Sequence, residues 1–389
     1  MLKKLYFYLL TSFVLITSTP EIKASSAASI DHASVNSTQL TITLEQTTVT
    51  LSAAKPVPPL RVLSLDGGGI RGWWQILVAL AIQDKMRELT GKPVNLGDYV
   101  NIFSGTSVGA LIASALSRGQ MNLDDLKKIL ETEGGSIFNH TFYKRISSLF
   151  GLTDEIYDKS YLEKRLKEIH GEKTRLADLE KDLIVIAHNS TQQKTAIMST
   201  FSARKEASQN AQASPSEEVV WLKNKKVAKA VLASASAPVY FQGEQDESTK
   251  DMLVDGGLDA NNSVLAAFSV LTKHNGPEAL SYHYVSIGTG RPSTKREFNP
   301  DLGAEDYVPQ LMDLCMDGNS QCTAQMAKKI FGDRFVRLNI ILPEKVAMDG
   351  VDQGNFNKMK RAYDAFMSDE KNQALILRAA KLLLPSEEE

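Results

Sequence analysis

From residue 61 onward, short apolar runs alternate with longer stretches in which apolar residues recur every three or four positions. Residues 61–65 (Arg-Val-Leu-Ser-Leu) have the length and content of a buried strand. Glycine-rich residues 66–72 follow, and an amphipathic helical pattern runs from about Trp73 to Leu89. The apolar run 99–103 and the apolar residues 110–113 predict a second strand and helix, divided by Ser104-Gly105-Thr106-Ser107-Val108-Gly109. Residues 123–131 and 160–170 carry helical spacing, the second with Glu163, Lys164, Arg165 and Lys167 on its solvated face. Residues 183–187 predict a buried strand with 194–201 as its neighbour, 206–218 a polar loop, 227–234 a short helix and 252–254 a strand. A helix over about 263–271, a strand at 283–287 and further helices complete the chain. Strands alternating with helices predict an α/β fold, a mostly parallel central sheet with helices on both faces.

The first residues break this pattern. Lys3-Lys4 precede an apolar stretch over residues 5–16, and small and polar residues continue to Ala24. That is the order of a secretory signal, and the stretch is short for a membrane span. Residues 1–24 are therefore expected to be a signal peptide and the protein to be secreted or periplasmic, with an uncleaved N-terminal membrane anchor as the alternative. Residues 25–59 are rich in Ser, Thr and Ala and end in Pro56-Val57-Pro58-Pro59, which reads as a spacer with a stiff end. Alternation over 41–44 supports a short strand within it. Among 389 residues, 43% hydrophobic and 23% charged is an ordinary globular composition, and a net charge of −2 gives no general reason to expect nucleic-acid binding. The two cysteines, Cys315 and Cys322, supply no disulfide framework. On one continuous helix their spacing sets them about 10 Å apart along the axis, too far to bridge. A bridge requires Asp317-Gly318-Asn319 to break that helix.

Three short stretches carry candidate chemistry. Gly105-x-Ser107-x-Gly109, between a strand and a helix, fits the nucleophile elbow, in which glycines flank a serine because side chains there collide with neighbouring backbone. A glycine-lined turn with a capping serine has the same pattern. Asp66-Gly67-Gly68-Gly69-Ile70-Arg71-Gly72 follows a strand and opens a helix, and its amides are suited to hold an oxyanion or phosphate. A plain tight turn is the alternative, and a dinucleotide loop is the weaker one: that motif wants an acidic residue closing a second strand, whereas Asp84 and Glu88 fall within a helical pattern. A serine nucleophile needs a base, and none of His32, His140, His170, His188, His274 and His283 has a distinctive flank. Asp255 follows a buried strand and precedes Gly256-Gly257, placed to reach another strand's end; as a base it needs desolvation.

Taken together, Asp66–Gly72, Gly105–Gly109, Asp255-Gly256-Gly257 and the stretch Ala233-Ser234-Ala235-Ser236-Ala237-Pro238-Val239-Tyr240-Phe241 resemble the patatin-like phospholipases. The likeness covers about residues 61–267; Ser286-Ile287-Gly288-Thr289-Gly290 and Met348-Asp349-Gly350 extend it more loosely. The resemblance implies a three-layer sandwich over residues 60–389 and acyl-ester hydrolysis on phospholipids or related lipids, met transiently at a membrane surface, without metal or other cofactor. It implies Ser107 as nucleophile, Asp255 as base, the Gly67, Gly68 and Gly69 amides as oxyanion hole, and Arg71, Gly105, Gly109, Gly256 and Gly257 in support. A non-lipid carboxylesterase and a catalytically silent storage or binding protein are the alternatives. One departure is Asn261-Asn262-Ser263, where the family commonly has proline after the asparagines. Residues 142–150 mix aromatics with Lys144 and Arg145 as interfacial segments do, and Trp73-Trp74 are candidates either for a lipid-facing border or for the core.

Overall fold

A computed structural model describes residues 32–35, 39–44 and 47–52, and then 58–137, 160–208, 220–221, 224–237, 243–292, 304–344, 346–348 and 350–385. The expected signal peptide and the aromatic-basic stretch 142–150 lie outside the described residues. The chain divides into two units, Met1–Pro58 and Pro59–Glu389. In the first, strands β1 (His32–Val35), β2 (Gln39–Leu44) and β3 (Thr47–Ser52) pair antiparallel in that order. The stretch that reads as a spacer with one short strand thus carries three, favoured by β-branched alternation such as Thr48-Val49-Thr50.

The second unit holds the other strands. They are β4 (Arg61–Leu65), β5 (Ile102–Thr106), β6 (Asp182–Asn189), β7 (Lys194–Ser199), β8 (Val220–Trp221), β9 (Glu244–Gln245), β10 (Met252–Asp255), β11 (His283–Ile287), β12 (Arg291–Pro292), β13 (Phe335–Leu338) and β14 (Ile341–Leu342). Its longer helices are α1 (Gly72–Thr90), α2 (Val108–Arg118), α3 (Leu123–Ile137), α4 (Ser160–His170), α5 (Thr200–Ser208), α6 (Val227–Ser234), α7 (Val264–Asn275), α8 (Ala304–Phe331), α9 (Gln353–Ser368) and α10 (Glu370–Leu383). The main sheet runs β13-β11-β4-β5-β6-β10-β9, with β7 also on β6 and β8 on β7. Its centre, β13 through β6, is parallel, and the strands after β6 add antiparallel pairs.

Buried on both faces, the central strands are near-continuous apolar runs, as parallel strands under helices must be. Register aligns Val336, Val285, Leu63, Phe103 and Leu183 across the five parallel strands, on the face covered by α1, α2, α3, α6, α9 and α10. The opposite face carries Phe335, Tyr284, Val62, Ile102 and Ile186 beneath α7 and α8. This is the three-layer α/β sandwich that the alternation predicts. Trp73 and Trp74 belong to the core: Trp73 meets Phe356 edge-on and donates to Glu131, while Trp74 meets Phe366 edge-on.

Two boundaries differ from the sequence reading, and a third agrees with it. The strand expected over 194–201 stops at Ser199, because Thr200 starts α5 with its hydroxyl donating to Asp182; the start of the expected polar loop is thereby helical. Helix α3 continues past residue 131 to Ile137. Helix α8 passes unbroken through Asp317-Gly318-Asn319, since Asn319 bonds to the Asn261 and Asp259 backbone and Ser320 to Asn261; Cys315 and Cys322 are free. At Asn261-Asn262-Ser263, Asn262 accepts from the Val264 N–H and Ser263 pairs with Ser64, which starts α7 without a proline.

The layer under α8 depends on Phe331, which stacks on Tyr284 with centroids 4.1 Å apart and meets Phe268 edge-on at 5.0 Å. Phe331→Ala is expected to destabilise the second unit by about 3–5 kcal/mol, read as a lowered urea midpoint; an unchanged midpoint would show that this layer does not hold the sheet.

Candidate active site

The site arises from how β6 shares one of its edges. Strand β7 takes one edge, while β5 and β10 take the other in succession, β5 parallel and β10 antiparallel. Thr106 lies opposite Ile186 and Asp255 opposite Ala187, so two strands arrive head-on one residue apart. The residue after β5 is Ser107 and the last residue of β10 is Asp255. The Ser107 hydroxyl lies close enough to the Asp255 carboxyl to favour its charged form.

Ser107 is half-buried and held at φ 55°, ψ −126°, a conformation a non-glycine residue adopts only at a cost of about 1–3 kcal/mol. Its surroundings enforce this. A Cβ at Gly105 would lie 2.3 Å from the Gly109 carbonyl oxygen, and one at Gly109 would lie 2.2 Å from that of Leu65. Strand, elbow and helix therefore pack backbone to backbone. The Ser107 N–H donates to Ser234 Oγ at 2.9 Å, and Ser234, the last residue of α6, donates in turn to the Ile186 carbonyl. The elbow is thereby fastened to β6 through α6. With α2 starting at Val108, Ser107 sits at a helix N-terminus, which favours developing negative charge.

Asp255 is buried and accepts from the Gly257 N–H at 2.7 Å, while its own N–H donates to the Ser236 carbonyl at 2.9 Å. Gly256 lies against the Ile186 carbonyl. Burial pushes the Asp255 carboxyl up to about 6, against the pull of the Ser107 hydroxyl and the Gly257 N–H. The carboxyl is thus tuned toward the range in which it accepts a proton near neutrality.

The glycine loop passes Ser107 in contact: a Cβ at Gly67 would lie 3.1 Å from that of Ser107. The Gly67 N–H is engaged by the Asn261 carbonyl at 3.2 Å, and the Gly67 carbonyl accepts from Thr289 Oγ1 at 2.7 Å. Among the described residues, the Gly68 and Gly69 amides have no such acceptor. The Ile70 N–H donates to Met348 O at 2.7 Å, and Gly69, at φ 59°, fits directly beneath that carbonyl. Arg71 is buried, and both its backbone N–H and its Nε donate to the Gly68 carbonyl, at 3.2 and 3.4 Å. At the loop's start, Asp66 forms two 2.6 Å bonds to Arg337, which also donates to Ser286 Oγ at 2.8 Å. Burial pushes the Asp66 carboxyl up while Arg337 pulls it back.

Ser107, Asp255, the three loop glycines and the glycine pairs around them thus converge on one end of the sheet. Among the described residues, His170, His188, His274 and His283 are engaged elsewhere. His188 bonds to Asp259 at 2.8 Å and His283 to the Leu382 carbonyl at 2.9 Å; His170, driven down to about 4 by burial, meets Ser114 at 3.2 Å. Arg337 was not legible as a site residue, whereas Ser234 and Asn261 lay in segments singled out by the resemblance without a role of their own. Thr289 and Met348 had a faint signal, through the looser resemblance of their segments.

These features define a three-layer α/β protein with a serine elbow at the carboxyl edge of its sheet. Within that class the match is specific: residues 63–268, just over half of the chain, fit the family model for the patatin-like phospholipases, and the chain belongs to that family. Patatin-like protein 1 of Oryza sativa subsp. indica is 26% identical over 235 residues, covering 57% of this chain and 53% of that protein. The cGAMP-activated phospholipase of Vibrio cholerae serotype O1 is 24% identical over 312 residues, covering 75% and 84%. Calcium-independent phospholipase A2-gamma of Oryctolagus cuniculus is 27% identical over 337 residues, covering 83% and 40%. Among solved structures, VipD from Legionella pneumophila aligns over 95% of this chain and 80% of its own, with 12% identity and a TM-score of 0.36. The chain spans about half the length of the patatin-like proteins 1 and 2 of Oryza sativa subsp. indica.

The Asp255 environment makes a stability prediction. With a folded pKa near 6, above its ordinary value of 3.8, the fold favours the protonated carboxyl. That contribution is fully present below about pH 4 and is lost as pH rises through 6, on the order of 3 kcal/mol by pH 7. Asp255→Asn is expected to raise the thermal midpoint at pH 7.5, relative to the unsubstituted protein, by several degrees, and to leave it nearly unchanged at about pH 4. A lowered midpoint at pH 7.5 would mean that the carboxylate is stabilised where it sits.

Proposed function

We propose that the protein is a lipid acyl hydrolase that cleaves fatty-acyl esters of phospholipids or related lipids through Ser107 and Asp255. The single observation that carries this is the meeting, along one edge of β6, of a serine on an elbow and a buried carboxyl raised to about 6. Family membership supplies the substrate class. Asp255 removes the hydroxyl proton as Ser107 Oγ attacks the ester carbonyl, and the Gly68 and Gly69 amides receive the oxyanion. The tetrahedral intermediate collapses to an acyl-serine with Asp255 returning its proton to the leaving alcohol. Water, deprotonated by the same carboxylate, then releases the fatty acid. Gly67, its N–H engaged by Asn261, fixes the loop's approach, and Arg71, through the Gly68 carbonyl, orients the amide that follows it. The residues 1–24 order of charged, apolar and small residues supports export of the chain to a secreted or periplasmic location.

Mixed-phospholipid vesicles incubated with the protein and analysed by mass spectrometry should yield free fatty acid and lysophospholipid. Ser107→Ala and Asp255→Ala should each lower the rate by about 10³-fold or more while the protein stays folded. His188→Ala and His283→Ala should keep it. Retained activity in Asp255→Ala with loss in either histidine variant would replace the aspartate by a histidine base.

A further inference from the structure

The turn after β10 touches every part of the site. The Gly257 N–H donates to Asp255 Oδ1 at 2.7 Å, and the Ala260 carbonyl accepts from Oγ1 of Thr106, the residue before Ser107, at 2.7 Å. The Asn261 carbonyl accepts from the Gly67 N–H at 3.2 Å. Carboxyl, elbow strand and glycine loop thus share one short piece of main chain, the single-turn helix Gly257–Ala260 and the residue after it. Within that piece the Asp259 and Ala260 N–H groups bond back to the Gly256 carbonyl, too little to hold an isolated turn of helix. Support comes from α8. Half-buried Asn319 accepts from the Asn261 N–H at 3.1 Å through Oδ1 and donates through Nδ2 to the Asp259 carbonyl. Its buried neighbour Ser320 accepts from Asn261 Nδ2 at 3.0 Å and lies close enough to Asp66 to favour the charged carboxylate.

We propose that Asn319 is a positioning residue for the reaction at Ser107: by bonding the main chain on both sides of Ala260, it fixes the Asp255 carboxyl, the elbow strand and the glycine loop relative to one another. The proposal rests on the hydrolase reading above. The chemistry of the side chain is specified at both ends, because the Asn261 N–H requires an acceptor and the Asp259 carbonyl requires a donor. Only an amide of this length supplies one of each; aspartate has the same shape but offers acceptors alone, and leucine offers neither. His188 also reaches this turn, yet it meets the Asp259 side chain, at 2.8 Å, and not the main chain that carries the contacts to the site. Rates depend steeply on such support: a displacement of about 1 Å transmitted from outside the reacting groups costs about 10²-fold.

The test measures kcat and KM for p-nitrophenyl butanoate in the full chain and in Asn319→Asp, Asn319→Leu and Phe331→Leu. Hydrogen–deuterium exchange of the peptides covering residues 64–72 and 254–262 is followed by mass spectrometry in the same four proteins. Phe331 lies on the same helix with Tyr284, Phe268 and Phe335 as its ring partners, so its variant reports what a loosened α8 does by itself. Asn319→Asp keeps the shape and the acceptor while setting an oxygen against the Asp259 carbonyl. Both Asn319 variants should lower kcat by about 10²-fold per folded molecule, with KM within about twofold, since ground-state binding is untouched. Exchange should rise about tenfold in both peptides. Phe331→Leu should lower the thermal midpoint and keep kcat within about twofold. A kcat in Asn319→Asp equal to that of the unsubstituted protein overturns the assignment, as does an equal loss in Phe331→Leu. Failure of both Asn319 variants to fold makes the residue structural and overturns it as well. If the unsubstituted chain hydrolyses no ester, the hydrolase reading fails by itself. Exchange then decides whether Asn319 holds the three parts together: a rise in both peptides sustains that, and unchanged exchange overturns it.

Discussion

Strand β6 accepts two partners along a single edge, and the geometry of the site depends on that sharing. Because β5 runs parallel and β10 antiparallel to it, their carboxyl ends face each other across one residue of β6. Neither strand has to be distorted for the serine hydroxyl to reach the carboxyl. The local strain falls on Ser107, whose φ of 55° turns the chain from strand to helix within one residue. That strain persists because the neighbours leave no alternative: Gly105 and Gly109 touch backbone on both sides, and Ser234 ties the elbow amide to Ile186. The same Ile186 carbonyl lies against Gly256. One peptide of β6 thus anchors both halves of the pair.

Electrostatics follow from the same packing. A carboxyl sealed between sheet and helices is disfavoured in its charged form, and among the described residues no cation offsets this at Asp255, so it is raised while a solvated aspartate is not. Asp66 provides the contrast within one site. It is as deeply buried and is likewise pushed up by that burial, but Arg337 meets it with two bonds and ties the start of the glycine loop to β13. Thr289, Met348 and Asn261 complete the clamp from three directions. The loop is therefore set before any substrate arrives, as the proposed oxyanion role of its amides requires.

Much of this was legible in the chain itself. Short apolar runs predicted the parallel strands because strands covered on both faces need no polar alternation, and glycine spacing picked out the elbow because only glycine survives backbone contacts near 2.3 Å. Asp255 stood out by its place between an apolar run and two glycines. The clamp was not legible. Arg337 lies 271 residues from Asp66, and Ser234 lies 127 from Ser107, so no local pattern connects them. The persistence of α8 through Gly318 was equally hidden, since it depends on Asn319 and Ser320 bonding to the turn at Asn261. Trp73 and Trp74 were ambiguous for a different reason: an aromatic pair at a helix start is compatible with core and with lipid contact until Phe356 and Phe366 are placed against it.

On the proposed mechanism, Asp255 and no histidine activates Ser107. The rate at which a fluorophosphonate labels Ser107 as a function of pH tests it most directly, because labelling reports the nucleophile without lipid binding or product release. The account predicts a rate that rises tenfold per pH unit in acid, levels off above about pH 6, and falls by about 10³-fold in Asp255→Asn at every pH. A labelling rate in Asp255→Asn equal to that of the unsubstituted protein would contradict it.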